Sequence, residues 1–281
     1  MSEIALRFLL ANLAAAVAII LVLALRRPAR AAFGARLAYG LWLLVPLAAL
    51  GSLLPPRVVE IARPAPAMTA SYPPPSIAPD FLPAAPAFTS PEPTSPDLSA
   101  LPGTPDPRAP DPLTLLVIAW LAGCVAMLAW QLRNQSRFMI DARAGFAGPA
   151  VVGFLRPRIV TPSDFEDRFE HGEREVIIAH ETIHLRRNDA RINALVALVR
   201  CICWFNPLVH IAAHLMRIDQ ELACDATVVE RHPKARATYA SALLKAQLAA
   251  RPLPLGCYWP AGTEHPLTER VEMLKQMKPT R

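Results

Sequence analysis

The sequence predicts a mainly α-helical membrane chain, in which three transmembrane helices carry one metal-binding domain with a small β element. Three observations predict it. Three uncharged apolar runs, residues 8–25, 37–54 and 113–131, are each about long enough to cross ~30 Å of hydrocarbon as a helix. Composition changes abruptly between the second and third runs, where 18 of the chain's 30 Pro fall within residues 55–112. Further on, a helix-compatible stretch centres on the pentad His180-Glu181-Thr182-Ile183-His184.

Residues 1–54 read as a transmembrane helical hairpin with spans about 8–25 and 37–54, Pro46 being placed to kink the second. A removable leader fits the first run poorly, because Arg26, Arg27 and Arg30 follow it and a second apolar run comes soon after. Segments such as Tyr72-Pro73-Pro74-Pro75 favour extended polyproline conformations, so residues 55–112 read as a linker. Residues 113–131 form the third span and 132–281 the domain.

Charge sets the expected orientation. The loop between the first two spans carries Arg26, Arg27, Arg30 and Arg36 and no acid, and Arg133, Arg137 and Arg143 follow the third span. Basic short loops stay in the cytoplasm. The chain is therefore expected to be a multi-pass protein of the bacterial inner membrane, with an extracytoplasmic Pro-rich linker and a cytoplasmic domain. A net charge of +6 and pI ≈ 9.4 invite a nucleic-acid reading. No helix-turn-helix, zinc-finger or aromatic–basic pattern supports it, so no direct nucleic-acid binding is expected. The five Cys show no Cys-x-x-Cys spacing and suit a reduced compartment.

On a helix, residues four apart share a face, so His180 and His184 can aim two imidazole nitrogens at one point. Glu181 is placed to act as general base on a water held there. That is the chemistry of His-Glu-x-x-His: two Zn2+ ligands and a base. A hydrolytic zinc site needs a third protein ligand and an open position. Asn206-Pro207 reads as an N-cap with Pro at the first helical position, opening a helix to about Glu230. On it Glu221 and Asp225 are i, i+4. Glu221 is the expected third ligand, and Asp225 the acceptor of a ligating imidazole's outer N–H. Cys224 reads as a small packing residue. The oxyanion partner stays open among His210, His214, Tyr239 and His265.

Around this centre, residues 150–165 suggest a small strand pair or edge strand, suited to holding a substrate by strand addition. The zinc helix should end near Arg187, with Asn188-Asp189 supplying a turn and an N-cap. The next helix, from Ala190, reads as a core helix or one resting at the membrane surface. Helical stretches follow at residues 238–250 and 267–277.

These residues resemble a known family. His180-Glu181-Thr182-Ile183-His184 with Arg186-Arg187-Asn188-Asp189, then Trp204-Phe205-Asn206-Pro207-Leu208-Val209, Glu221-Leu222-Ala223-Cys224-Asp225 and Glu269-Arg270-Val271-Glu272-Met273-Leu274 resemble BlaR/MecR-type integral-membrane zinc metallopeptidases. The likeness covers the whole chain in architecture and about residues 150–275 in motifs. It implies a gluzincin site in which His180, His184 and Glu221 hold zinc, Glu181 is the base and Asp225 supports a ligand. It also implies a protein substrate, with an outside signal (β-lactam in the best-known cases) relayed to cytoplasmic proteolysis of a transcriptional repressor or to self-cleavage. No Ser-x-x-Lys motif occurs, and the chain reads as a short form without the C-terminal penicillin-binding sensor domain. The partners expected are the lipid bilayer and the protein substrate, with a homodimer left open. The competing expectation is a non-catalytic membrane signalling scaffold whose zinc is structural or idle.

Overall fold

The computed structural model describes residues 3–54, 111–249, 268 and 270–272. The expected Pro-rich linker lies outside the described residues but for its last two positions, as do Cys257, His265 and most of the helix expected at 267–277.

The chain opens with α1 (Glu3–Phe33), whose length follows from an apolar run continued by Arg- and Ala-rich sequence that favours helix. Gly34, at φ 89°, supplies the left-handed conformation that reverses the chain. The return leg is α2 (Ala35–Gly40), a 3-10 turn at Leu41–Leu43 and α3 (Leu44–Gly51), packed back along α1. The irregular turn has a local cause. Pro46 has no N–H to donate four residues back, and its ring crowds the carbonyl of Trp42. The expected kink is thus a tightened turn just before the proline.

After the break, α4 (Pro112–Arg143) runs without interruption. Among the described residues, α1 and α4 are long and apolar enough to cross a membrane. Only 17% of the most apolar window of α1 and none of that of α4 is buried by protein, so neither is the core helix of a water-soluble fold. The second expected span differs from them: the apolar helical run is 17 residues at most, Ala35–Gly51, shorter than the other two and broken by the 3-10 turn.

The domain begins with two short strands, β1 (Ala150–Val152) and β2 (Arg158–Val160), antiparallel with Ala150 opposite Val160 and Val152 opposite Arg158. They rest against the central helix. Then come α5 (Phe165–Arg168), α6 (His171–Arg187), α7 (Asp189–Ile202), α8 (Pro207–Arg231) and α9 (Arg236–Ala249). A capping box starts α6: the Glu170 side chain accepts from the Glu173 N–H, and the Glu173 carboxylate accepts from the Glu170 N–H at 3.1 Å. Asn188, left-handed at φ 58°, ends it. Asn206 caps α8, accepting from the Leu208 N–H at 3.0 Å with Pro207 in the first turn, as the sequence predicts.

Two apolar clusters place these helices. Phe169, Val176, Ile177, Val228, Tyr239 and Ala242 join α6, α8 and α9 around one core. Ile19, Val22 and Trp42 meet Val209, Ala212 and Met216, joining α8 to α1 and its return leg. Helix α8 therefore belongs to both halves of the fold.

Candidate metal centre

His180 and His184 lie one turn apart on α6, and their Nε2 atoms are 3.0 Å from each other. Glu221 reaches across from α8. Its Oε2 is 3.4 Å from His180 Nε2 and its Oε1 3.5 Å from His184 Nε2. Two imidazoles and a carboxylate from separate helices thus converge within hydrogen-bonding range.

The outer face of each imidazole is held. His184 Nδ1 donates to Asp189 Oδ2 at 2.6 Å. Asp189 also accepts from Arg187, whose guanidinium reaches the Gln220 carbonyl at 3.0 Å and lies over the Tyr39 ring. On the other imidazole, Tyr239 Oη is 2.7 Å from His180 Nδ1 and donates its own proton to Asp225 Oδ1 at 2.5 Å. Tyr239 has one proton, so it accepts from His180. Both Nδ1 atoms therefore carry hydrogen, which leaves each Nε2 as the nitrogen open to a shared proton or a metal ion.

This donor set asks for a cation. Two bare Nε2 atoms and a carboxylate facing one another are all acceptors, and only a proton or a metal ion reconciles them. Electrostatics agree. Burial works against a charged His180, yet the Cys224 sulfur and the Glu221 carboxylate outweigh it and push its pKa up to about 10. His184 is likewise raised against burial, by Glu221 and Asp189. Burial would lift the Glu221 carboxyl, but His184 and His180 hold it well below the usual carboxylate range. The residues present fit a zinc ion in ligand type and number.

Glu181 follows His180 on α6 and is only 8% exposed. Among the described residues no hydrogen bond or ion pair engages its carboxylate. Asp225 lies fully buried beneath Tyr239, clasped at 2.7 Å by both Arg270 Nε and Nη2. A third guanidinium nitrogen of Arg270 stands 3.5 Å from Glu221 Oε2. Asp225 itself is 3.4 Å from His180 Nδ1, with Tyr239 the nearer partner.

The family model described as BlaR1 peptidase M56 matches residues 6–145 and 132–274, nearly the whole chain. The chain belongs to the BlaR1 peptidase M56 family. Relatives include the regulatory protein BlaR1 of Bacillus licheniformis, 28% identical over 116 residues, which is 41% of this chain and 19% of the relative. The methicillin resistance mecR1 proteins of Staphylococcus aureus and Staphylococcus epidermidis are 33% identical over 117 residues, 41% of this chain and 20% of theirs. The matched part thus spans about a fifth of those relatives. No solved structure matches the chain. The family and the two long apolar helices together mark a membrane protein of the metallopeptidase class.

In this M56 member, sequence reasoning found the three groups that converge but not everything that holds them. Asp189 reads locally as an N-cap, whereas its carboxylate binds His184. Tyr239, weighed as an oxyanion partner, stands behind His180 on the side away from Glu221. His210 lies at the far end of α8, bonded to Arg200 and the Trp204 carbonyl. The Cys224 sulfur, buried in the apolar core, comes within 4.8 Å of a ring nitrogen of each imidazole and donates to the His180 carbonyl at 3.4 Å. Arg270 carried no sequence signal beyond its place in a family-like run.

Proposed function

We propose that the protein is an integral-membrane zinc endopeptidase of the BlaR/MecR type. One observation carries this reading: His180 Nε2, His184 Nε2 and the Glu221 carboxylate converge while the outer partners engage both Nδ1 atoms, leaving each Nε2 aimed at the shared point. His180, His184 and Glu221 hold the zinc, which when bound polarises a peptide carbonyl and makes water acidic enough to attack near neutral pH. Glu181, its carboxylate unclaimed by the described residues, takes the proton of the attacking water and returns it to the leaving amine. Asp189 and the Tyr239–Asp225 pair orient the imidazoles. The β1–β2 edge beside α6 suits an extended peptide, added as a further strand.

The full reading has three spans, the apolar run Ala35–Gly51 being the second, a cytoplasmic domain and an extracytoplasmic Pro-rich linker. The substrate class is a protein, either a cytoplasmic transcriptional repressor or this chain itself, in keeping with the regulatory and resistance roles in the relatives' names. The test compares cells making the wild type with cells making Glu181→Gln, listing peptide fragments by proteomics and measuring zinc in both purified proteins. Zinc retained and fragments lost supports the base. Full cleavage by Glu181→Gln rejects it.

Cys224 favours a second reading. A fourth protein ligand would close the site and make it structural, giving a non-catalytic signalling scaffold. Cys224→Ala separates the two: zinc and cleavage survive if three residues suffice, and zinc is lost if the thiol is a ligand.

A further inference from the structure

The turn between α7 and α8 makes contacts that the metal centre does not need. Trp120, well inside the apolar stretch of α4, donates from Nε1 to the Ile202 carbonyl at 2.9 Å. Trp204 donates back to the Trp120 carbonyl at 3.2 Å. The Trp204 indole lies directly on Gly123, where an added Cβ would fall 2.1 Å from the ring. Farther along, Gln131 Nε2 donates to the Ala197 carbonyl at 2.9 Å. Across the turn, Phe8 near the start of α1 packs 6.5 Å from Phe205 and 6.0 Å from Trp120, centroid to centroid. The α7–α8 hairpin is thus held between the two helices that have membrane character.

Its depth can be gauged. The uncharged run of α1 ends at Leu25, and the exposed Arg27, next to the protein-buried Arg26, marks where hydrocarbon gives way to water. Arg26 binds Asp219 of α8 through two hydrogen bonds of 2.9 Å, so Asp219 sits at that level. From there back to Pro207, α8 rises about 18 Å beside α1, more than half of the ~30 Å hydrocarbon thickness. The outward face of the hairpin has matching chemistry. Leu195, Leu198 and Val199 are 60%, 51% and 40% exposed, and with Ile202 they fall at i, i+3, i+4 and i+7, one stripe of α7. Helix α4, in contact with α7, likewise exposes apolar side chains at Leu121, Val125 and Leu128. The polar groups beside the turn find partners in one another. Arg200 Nε donates to His210 Nδ1 at 3.3 Å, and His210 Nε2 donates to the Trp204 carbonyl at 3.0 Å, as hydrocarbon surroundings require.

We propose that α7 and α8 form a re-entrant membrane hairpin that dips into the bilayer from the side bearing the metal centre. It turns against Trp120 and faces lipid acyl chains with the Leu195–Ile202 stripe. Glu221 follows Asp219 by two residues, so the hairpin fixes the metal centre at the bilayer surface. The inference rests on α1 and α4 spanning the membrane, and not on catalysis.

The test places the photoreactive residue benzoylphenylalanine singly at Leu198, Ile211, Leu121 and Arg231 of the full chain in vesicles of phosphatidylethanolamine and phosphatidylglycerol. Adducts are read by mass spectrometry, a readout that needs neither zinc nor cleavage. Lipid adducts are expected at Leu198 and Ile211 with yields like those at Leu121, and their loss at Arg231. All four positions are exposed or border solvent, so folding is not at stake. Crosslinks from Leu198 to a second copy, or water-quenched products like those at Arg231, would overturn the proposal. Absence of lipid adducts at Leu121 as well would overturn the membrane reading beneath it.

Discussion

Arg26 of α1 and Asp219 of α8 form a fully buried two-point ion pair across 193 positions of sequence, with both N···O distances 2.9 Å. Trp42 from the return leg adds a third hydrogen bond to Asp219 at 2.9 Å. One carboxylate thereby ties the apolar hairpin to the helix that carries Glu221.

Removing one member of a buried pair strands the other charge, typically at a cost of about 3–5 kcal/mol. Arg26→Met leaves Asp219 with the Trp42 indole and with Arg30 at 3.6 Å, so the expected loss is near the lower bound, about 3 kcal/mol. Unfolding followed in detergent micelles measures it, and zinc binding should weaken in parallel because α8 loses its anchor beside Glu221. A melting temperature equal to the wild type's would mean that the pair carries no structural weight.

The Asp189 carboxylate accepts the His184 Nδ1 proton at 2.6 Å, so Asp189→Asn removes a charged acceptor without removing volume. Substitution of such an outer partner weakens metal affinity by about 10–100-fold. A competition titration against a zinc-binding dye should show that drop with the helical circular dichroism unchanged. Unaltered affinity would mean that His184 is oriented by packing alone.

Legibility divides along the same line. The pentad, the Asn206-Pro207 cap and the Glu221/Asp225 spacing are periodic or local signals, and the helices form where those signals place them. The short strands at 150–160 announced themselves through β-branched residues around Gly and Pro. Asp189 misled because an Asx pair after a helix serves equally well as a cap, and its true partner is fixed only when α6 meets α7. Arg270 and Tyr239 come from the far C-terminal side, and no periodicity links them to His180. The docking of Trp204 on Gly123 was hidden for the same reason: a Trp in a turn gives no hint of the helix it will cover.

Glu173 offers a pH test away from the proposed metal centre. Burial alone would raise its pKa, but the Lys245 ammonium at 2.7 Å and the Ser241 hydroxyl at 2.8 Å hold it below the ordinary value of 4.5. A carboxyl depressed in the folded state contributes stability that is present above its unfolded pKa and lost as pH falls through its folded one. The gap in melting temperature between the wild type and Glu173→Gln should therefore be widest near neutrality and close below the ordinary glutamate range. A gap that stays constant down to pH values near 3 would assign the effect to packing.

Tyr239 joins the His180 imidazole to the Asp225–Arg270 pair, and its hydroxyl serves two partners with one proton. Tyr239→Phe keeps the ring in the core with Val176, Val228 and Ala242 while removing both hydrogen bonds. Asp225 retains its two bonds from Arg270, so the fold should lose only about 1–2 kcal/mol. His180 loses the acceptor that keeps its proton on Nδ1, and Asp225 at 3.4 Å is too distant to replace it at full strength. Zinc affinity should fall by about tenfold or more, measured by the same dye competition, while the melting temperature in chelator changes little. Equal affinity in Tyr239→Phe and the wild type would show that Asp225 moves in to take the proton, making the carboxylate the true orienting group for His180.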